Sequence, residues 1–328
     1  MAETRIVTVT LNPALDHVIV AENFKIGKRV AGWIADDRYP AGFPTGKGIA
    51  ISRVLGFKGI RSIATGFVGR NELDMFEGFL EKKASGRVVS QFLVVQKRTR
   101  DNITIVDPVN ETETHIRDVG FEVQQDDVKR ISSKVAMLSR PDTIVCFAGS
   151  LPRGLEPEQF GRLVARCVGQ GARVVVDTNS EGLRGLKTRR LWMIKLNVDE
   201  VGMLADLPVD SRERLIEAAR SLTAARGGSY DVVLVTRGAD GAMLFTEDVA
   251  LIGQVSVHPG RIVSTAGSGE SLVAGVLSVL NKGGDWVSAL REGLALATAN
   301  AIGREAGLVD EGDAEEFRVM AMVDRIED

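Results

Sequence analysis

The stretch with the clearest capacity for chemistry is STAGSGESLVAGVL, residues 264–277. Two glycines and a serine come directly before Glu270, and apolar residues at helical spacing follow it. Backbone N–H groups at the positive N-terminal end of a helix bind phosphate, and Glu270 could accept a proton from an attacking hydroxyl. The pattern indicates a phosphoryl-transfer site. Its alternative is a glycine-rich turn whose glutamate is favoured only by the helix dipole.

A second candidate site is the sequence KLNVDE, residues 195–200. Asn197 and Glu200 are three residues apart, so on a helix they share a face. Their oxygens could reach Mg²⁺ through its water molecules, since this ion keeps much of its hydration, and Lys195 could contact phosphate. On these residues alone a capping box is favoured, in which Asn197 is the N-cap and Glu200 bonds back to it.

A third candidate is TRGADG, which contains Thr236, Gly238 and Gly241 and lies between two strand-like segments. A hairpin turn is the default interpretation, and a loop that lines a nucleotide is the functional one. The basic residues Lys28, Arg100 and Arg117 are surface cations by default. If they cluster, they would suit an anionic substrate, because a guanidinium group matches phosphate.

The elements that must position these residues alternate between strand and helix. Apolar runs such as RVVVD and DVVLV indicate strands covered on both faces, and the segments between them have helical periodicity. The alternation predicts a mostly parallel sheet with ligands beyond the carboxyl ends of its strands. Residues 88–117 break this pattern and read as successive strands of an antiparallel flap, to which residues 11–40 are expected to add strands.

The composition excludes several classes of protein. The formal net charge is −3, and no basic excess or polybasic run points to nucleic acid or to a membrane surface. No segment resembles a secretion signal or is long enough to cross a bilayer. The two cysteines and three histidines form no disulfide framework and no metal-spaced set. We expect a cytoplasmic protein.

Taken in order, these segments resemble the ribokinase-like carbohydrate kinases, most closely the branch of 1-phosphofructokinase and tagatose-6-phosphate kinase. The resemblance is carried by TLNPALD, GKGIAISRVL, AGSLPRG, KLNVDE, TRGADG and STAGSGES. It implies a single α/β domain over residues 1–328, built as a three-layer α/β/α sandwich. It also implies a small β-sheet lid, formed by segments of about 11–40 and 88–117, and a homodimer made through that lid.

The resemblance also implies a role for each motif residue. The catalytic set is Glu270 as the base on a sugar hydroxyl, with the amides of Gly267, Ser268 and Gly269 stabilising the transferring phosphoryl group. The substrate set is Asp16, Gly46 and Ser150 near the sugar, with Lys28, Lys47, Arg100 and Arg117 on the phosphate that the sugar already carries. The set for ATP is Lys195, Asn197, Thr236, Gly238 and Gly241, and Mg²⁺ would be organised by Asn197 and Glu200 through water.

The chain departs from the family pattern at three positions that matter. Glu270 stands where the family has aspartate, and its extra methylene moves the carboxylate by about 1.5 Å, an error that can cost ~100-fold in rate. Thr45 replaces a glycine of the substrate loop and restricts its backbone. Ala50 replaces an asparagine that contacts the sugar. These changes indicate either a kinase with an altered substrate or a chain without activity, and the retained lysine, Asn-x-x-Glu and glycines favour the kinase.

The resulting prediction is an ATP-dependent kinase of a hexose phosphate, with fructose 1-phosphate converted to fructose 1,6-bisphosphate as the preferred reaction. One alternative is a non-catalytic protein that binds a nucleotide and a phosphosugar. The other is a kinase of a neutral sugar or nucleoside, in which Arg100 and Arg117 would point away from the cleft.

Overall fold

The computed structural model describes residues 5–35, 42–84, 86–186, 190–303 and 307–327. The strands are β1 (Arg5–Thr10), β2 (Ala14–Val20), β3 (Trp33–Ile34), β4 (Phe43–Thr45), β5 (Ser62–Gly69), β6 (Val88–Val95), β7 (Arg100–Asp107), β8 (Thr112–Arg117), β9 (Thr143–Ala148), β10 (Arg173–Asp177), β11 (Leu191–Asn197), β12 (Tyr230–Thr236), β13 (Ala242–Phe245), β14 (Ala250–Gln254) and β15 (Met322–Arg325). The helices are α1 (Lys47–Phe57), α2 (Leu73–Lys83), α3 (Gln125–Leu138), α4 (Pro157–Gly169), α5 (Ser180–Arg184), α6 (Val198–Ala205), α7 (Arg212–Ser221), α8 (Ser268–Leu280), α9 (Trp286–Ile302) and α10 (Glu311–Met320). Among the described residues, no helix is both long and apolar enough to cross a membrane.

The larger sheet has ten strands in the order β15-β14-β13-β12-β11-β10-β9-β1-β5-β6. The strands from β12 through β6 are parallel to their neighbours, and β13, β14 and β15 extend the sheet with antiparallel pairs. The prediction of a mostly parallel sheet is therefore confirmed. Its parallel strands carry apolar residues on both faces because helices cover both faces.

The two faces of this sheet have separate hydrophobic cores. One face packs against α3 to α7, with Ile131, Phe160 and Leu215 among its buried residues. The other packs against α1, α8, α9 and α10, with Leu272 and Phe317 among its buried residues. Successive strand residues contribute to opposite cores, as the period of two requires. The result is the expected three-layer arrangement.

Helices α8 and α9 approach each other closely at two glycines. A Cβ atom on Gly275 would lie 2.6 Å from the Cα atom of Gly293. A Cβ atom on Gly293 would lie 2.8 Å from the carbonyl oxygen of Leu272. Only glycine permits this contact, because real Cβ atoms essentially never come within 3.0 Å of another heavy atom. The contact sets the position of α8, whose first turn carries Glu270.

The small sheet consists of β2, β3, β4, β7 and β8. Strand β2 pairs with β3 and β4 in the antiparallel direction and with β7 in the parallel direction, and β7 pairs with β8 antiparallel. Residues 36–41, which include the end of the first expected lid segment, lie outside the described residues. The expectation for residues 88–95 was wrong: they form β6, which pairs along its whole length with β5 at the edge of the larger sheet.

Candidate active site

Three of the predicted site residues lie at the carboxyl ends of adjacent parallel strands, together with an aspartate and an asparagine that were not predicted. Ser150 follows β9, Asp177 ends β10, Asn197 ends β11 and Thr236 ends β12. Asn12 follows β1 and donates through its side-chain nitrogen to the hydroxyl of Ser150 at 3.3 Å. Parallel strands bring their carboxyl ends to one edge, so segments far apart in the chain meet there.

Four charged side chains form the centre of the site. The ammonium of Lys47 lies 2.9 Å from Oδ1 of Asp177 and 3.6 Å from Oε1 of Glu270. The ammonium of Lys195 lies 3.3 Å from the same oxygen of Asp177. The structure thus brings Lys47, Lys195 and Glu270 together, three residues that the sequence assigned to three different tasks. We call Lys47, Asp177, Lys195 and Glu270 the central cluster.

Burial and mutual attraction shape the ionisation of the central cluster. Burial by itself would lower the pKa of Lys47, but the carboxylates of Asp177 and Glu270 raise it above its ordinary value. Burial would raise the pKa of Asp177, yet the ammonium groups of Lys195 and Lys47 hold it below its usual range. Asp177 is fully buried, and a buried carboxylate persists in its charged form only when it is paired in this way.

The loop before α8 presents backbone amides next to Glu270. Gly267 is the N-cap with a positive φ of 84°, which glycine adopts without strain. The amide of Ser268 donates to the carbonyl oxygen of Thr265 at 3.2 Å. The amides of Gly267 and Gly269 donate to no acceptor within the described ranges. Two of the three predicted amides therefore remain for an anion.

Asn300 fixes this loop from helix α9. Its side-chain nitrogen donates to the carbonyl oxygen of Ala266 at 2.7 Å, and its side-chain oxygen accepts from the amide of Gly307 at 2.7 Å. Asn300 is buried, so these bonds replace the water that it lacks. The amide-bearing loop is thereby tied to α9 and to the segment after it.

The loop that carries Lys47 is held close to strand β1. Gly46 has a φ of 152°, and a Cβ atom there would lie 2.6 Å from Cγ2 of Thr10. A Cβ atom on Gly48 would lie 2.5 Å from Oγ1 of Thr10. Both glycines are therefore required for this close approach. They hold the backbone of Lys47, the first residue of α1, above the end of β1.

Asp16 and Arg117 lie in one row of the small sheet. Asp16 of β2 is opposite Asn102 of β7, which is opposite Arg117 of β8. The side-chain nitrogen of Asn102 donates to Oδ1 of Asp16 at 2.7 Å, and Nη1 of Arg117 lies 4.0 Å from the same oxygen. Burial raises the pKa of Asp16 above its usual value, against the lowering effect of Asn102 and Arg117.

Arg100 lies on the same strand as Asn102, two residues earlier, and is engaged by backbone carbonyls. Its guanidinium donates to the carbonyl oxygens of Asn12, Pro13 and Asp118 at 3.0–3.3 Å. These bonds join the small sheet to the end of β1. Three donors of Arg100 are thus committed to holding the sheet in place, whatever further contact this residue makes.

Asn197 and Glu200 form the capping box that was favoured on local grounds. Oδ1 of Asn197 accepts from the amide of Glu200 at 2.8 Å, and Oε2 of Glu200 accepts from the amide of Asn197 at 2.8 Å. In the described ranges, no group of three or more His, Cys, Asp or Glu side chains could hold a metal ion. The residues fit a Mg²⁺ ion that keeps its water and phosphate ligands, since each cap side chain retains further lone pairs.

The TRGADG segment forms the turn between β12 and β13. Gly238 and Gly241 both have positive φ values, 59° and 85°, and a Cβ atom on Gly241 would lie 2.1 Å from the carbonyl oxygen of Gly253. The hydroxyl of Thr236 donates to the carbonyl oxygen of Leu196 at 3.3 Å. This turn lies next to Asn197, because Thr236 is its partner across β11 and β12.

Lys28 is separate from these groups. It lies in the exposed loop after β2, where Lys25, Arg29 and Trp33 line the same depression. Within the described ranges, no hydrogen bond or ion pair joins it to another predicted site residue. Its assignment to the substrate stays a prediction.

The sequence alone did not single out Asp177, Asn12, Asn102 or Asn300. Asp177 had a usable signal, because it is a lone carboxylate at the end of the apolar run RVVVD. A charged residue at the carboxyl end of a parallel strand is a candidate for the site edge. The three asparagines had no local signal, since their partners are remote in the chain.

The fold and this arrangement of side chains define a class of protein. Residues 37–308 match the pfkB family carbohydrate kinases, and the chain belongs to that family. It is 30% identical over 302 residues to the 1-phosphofructokinase of Bacillus subtilis, with 92% of this chain and 94% of that protein covered. It is 31% identical over 281 residues to the 1-phosphofructokinase of Escherichia coli, with 83% of each chain covered. It is accordingly an ATP-dependent carbohydrate kinase.

Solved structures show the same fold. Phosphofructokinase-2 from Escherichia coli, solved in complex with potassium, has a TM-score of 0.84 at 22% identity, with 96% of this chain and 98% of that chain covered. A tetrameric inhibited form of that protein has a TM-score of 0.83 over the same coverage. At this level of identity the likeness shows the fold alone.

Proposed function

We propose that the chain transfers the γ-phosphoryl group of ATP to fructose 1-phosphate, giving fructose 1,6-bisphosphate. The observation that carries the proposal is the central cluster, in which a largely buried glutamate lies in the first turn of α8 beside a half-buried Lys47 and the buried pair of Asp177 and Lys195. A carboxylate next to free helix amides and ammonium groups suits phosphoryl transfer, which depends mainly on positioning and charge stabilisation. The 1-phosphofructokinase relatives support the choice of acceptor.

In this proposal Glu270 accepts the proton of the sugar hydroxyl. The hydroxyl oxygen forms a bond to the γ-phosphorus, and the bond from that phosphorus to the bridging oxygen of ADP breaks. The amides of Gly267 and Gly269 bind the charge that develops on the phosphoryl oxygens. Lys195 reaches the same loop, since its ammonium lies 3.4 Å from where a Cβ atom of Gly269 would be. We therefore assign Lys195 to the phosphates of ATP.

Nucleotide binding is assigned to the ends of β11 and β12. Mg²⁺ bound to ATP neutralises phosphate charge. Asn197 and Glu200 would hold this ion through its water molecules, because each side chain keeps lone pairs beyond its capping bond. Thr236, Gly238 and Gly241 form the turn beside them and line the nucleotide.

The small sheet is assigned to the sugar phosphate. Asp16 accepts hydrogen bonds from sugar hydroxyls, and Arg117 binds the phosphate that the sugar already carries. Arg117 supports a phosphosugar over a neutral sugar because its guanidinium lies beside Asp16 and its side chain is 54% exposed, so it can turn toward a ligand. The sheet acts as a lid that excludes water from the transfer step.

A coupled ADP-release assay tests the activity with fructose 1-phosphate, fructose 6-phosphate, tagatose 6-phosphate and fructose, each against an acceptor-free control. We expect turnover with fructose 1-phosphate above the others. Glu270→Gln should lower kcat by at least ~100-fold and leave ATP binding unchanged, whereas Glu158→Gln at an exposed site on α4 should match the wild type. Thermal shifts with ATP and fructose 1-phosphate but no turnover would favour the non-catalytic alternative.

A test of Arg117 separates the two kinase alternatives. Arg117→Met should raise the KM for fructose 1-phosphate by at least ~10-fold and leave the weak use of fructose unchanged, because it removes a charge-assisted contact worth about 1.5–3 kcal/mol. Equal use of fructose and its phosphate by the wild type would contradict the phosphosugar assignment.

We further propose that two chains pair through the small sheet. The face opposite Asp16 carries Ile19, Ile34, Ile103, Ile105 and Ile116 in adjacent register positions. Ile34 is 40% and Ile116 is 52% exposed. A continuous aliphatic face on a sheet is typical of a surface that another surface covers, and a second copy provides a self-complementary one.

The oligomeric state tests this pairing directly. Sedimentation or light scattering should give a dimer for the wild type and a monomer for Ile116→Glu. Val319→Glu is the matched control, because it also places a charge on an exposed apolar residue, on α10. A wild-type monomer, or an Ile116→Glu variant that stays dimeric, would exclude the pairing.

A further inference from the structure

Lys47 occupies a different position from the one that the family resemblance implies. The resemblance assigns it to the phosphate already on the sugar. In the structure its ammonium lies between two carboxylates, 2.9 Å from Asp177 and 3.6 Å from Glu270. Two carboxylate partners largely cancel the charge that a phosphate would need. Its contacts point to a task inside the catalytic centre.

Lys47 is held at both ends of its side chain. The close approach of Gly46 and Gly48 to Thr10 fixes the backbone. Asp177 fixes the ammonium, since this carboxylate is fully buried and its Oδ1 atom is also bonded by Lys195. If Lys47 swung away, it would leave a buried carboxylate with one cation in place of two, which is costly. The ammonium is therefore a fixed point next to the reaction site.

Glu270 is the partner that needs such a fixed point. It has one methylene more than the aspartate of the family, which extends its reach by about 1.5 Å. Its side chain also has one more rotatable bond, so a glutamate at this position loses more conformational freedom when its carboxylate is held in one place. The described residues offer Glu270 one ion-pair partner, Lys47.

We infer that Lys47 is a positioning residue for Glu270. The bridge from Asp177 through Lys47 holds the longer carboxylate where the sugar hydroxyl must meet it, and so allows a glutamate to serve as the base. The inference rests on the proposed function, in which Glu270 takes the proton. It also removes Lys47 from the phosphate-binding set and leaves that task to the small sheet.

A comparison of four variants tests the inference: Lys47→Met, Lys47→Arg, Glu270→Asp, and Lys47→Met combined with Glu270→Asp. We expect Lys47→Met to lower kcat by ~100-fold, with the KM for fructose 1-phosphate changed by less than about threefold. Lys47→Arg, which keeps the charge, should recover at least about tenfold of that loss. Lys129→Met, at an exposed position on α3, is the control and should leave both constants unchanged.

The double variant provides the decisive comparison. The shorter carboxylate of Glu270→Asp withdraws from Lys47, so Lys47→Met should cost much less in that background than in the wild type. Losses that simply multiply would overturn the inference, because independent sites behave in that way. A KM raised by ~10-fold or more with kcat unchanged would also overturn it and return Lys47 to the phosphate of the sugar.

The ion pair between Lys47 and Glu270 can still be tested if the protein lacks the proposed kinase activity. If the wild type turns over no sugar phosphate, the kinase proposal falls and the ion pair is tested by denaturant unfolding of Lys47→Met, Glu270→Gln and their combination. The ion pair is supported if the combined change in the unfolding equilibrium constant differs by about threefold or more from the product of the two single changes, that is, if the free-energy effects are not additive. Additive effects overturn it. If Lys47→Met does not fold, Lys47→Arg and Glu270→Asp are used in its place, both in the kinetic comparison and in the unfolding comparison.

Discussion

The contact between α8 and α9 makes Gly275→Ala a sensitive test of how the catalytic loop is positioned. The added Cβ atom would lie 2.6 Å from the Cα atom of Gly293, 2.8 Å from its nitrogen and 2.9 Å from the carbonyl oxygen of Glu292. All three are backbone atoms, so no side chain can rotate to make room. One helix must move relative to the other.

The size of the effect follows from these distances. Ordinary van der Waals contact for a Cβ atom begins at 3.4 Å, so the helices must separate by about 3.4 − 2.6 = 0.8 Å. Overpacking of this kind typically costs about 1–3 kcal/mol, and the better helix propensity of alanine offsets up to about 1 kcal/mol. We expect a net loss near the middle of the resulting range, about 1–2 kcal/mol, in the free energy of unfolding. The displacement reaches Glu270, so kcat should fall by about tenfold or more.

Denaturant unfolding monitored by circular dichroism measures the stability, and the ADP-release assay measures kcat. Gly78→Ala is the matched control, because this glycine lies inside α2 with nothing within 4 Å of its Cβ position. That variant should gain up to about 1 kcal/mol. A Gly275→Ala protein that is as stable and as active as the wild type would refute the reasoning, and so would equal changes in both variants.

Three further outcomes follow from buried polar contacts. Asn300→Ala should destabilise the fold by about 1–3 kcal/mol, since it leaves a carbonyl and an amide unpaired, and the same variant should lower kcat more than it raises KM. Asp107, which accepts side-chain and backbone bonds from Asn110 and backbone bonds from Asn23 and Phe24, has its pKa lowered to about 2. Its contribution is present above the ordinary value of 3.8 and is lost as the pH falls toward 2, so the thermal midpoint of Asp107→Asn should fall less than that of the wild type between pH 5 and pH 3. Arg318→Met should cost about 1–3 kcal/mol by denaturant unfolding because it removes a hydrogen-bonded partner from the buried Glu292 on α9. An unchanged midpoint would show that Lys58, whose ammonium lies 3.0 Å from Oε1 of Glu292, is a sufficient partner.

Local chemistry explains why much of the fold and the site could be predicted from the sequence. The capping box of Asn197 and Glu200 involves groups within four residues, so their spacing is enough to indicate it. The apolar runs of the parallel strands reflect burial on both faces, which leaves a pattern inside each segment. The glycines before Glu270 indicate a helix N-terminus because only glycine takes the positive φ of Gly267 easily.

The pairing of strands was harder to predict. Residues 88–95 have the pattern of a half-buried strand, and that pattern is the same in either sheet. The structure assigns them to β6 beside β5, because the choice of partner depends on which neighbouring strand offers free backbone groups and a matching apolar face. Neither property can be read from the segment itself.

The sequence by itself therefore determined the family of the chain, the parallel sheet and the short segments that carry the site. Only the tertiary structure decided how these segments meet. Lys47, Asp177 and Glu270 lie far apart in the chain, and their contact exists because parallel strands and the first turns of α1 and α8 converge on one edge of the sheet. The task inferred for Lys47 depends on its two carboxylate neighbours, Asp177 and Glu270. No local sequence pattern indicates that these residues are its neighbours.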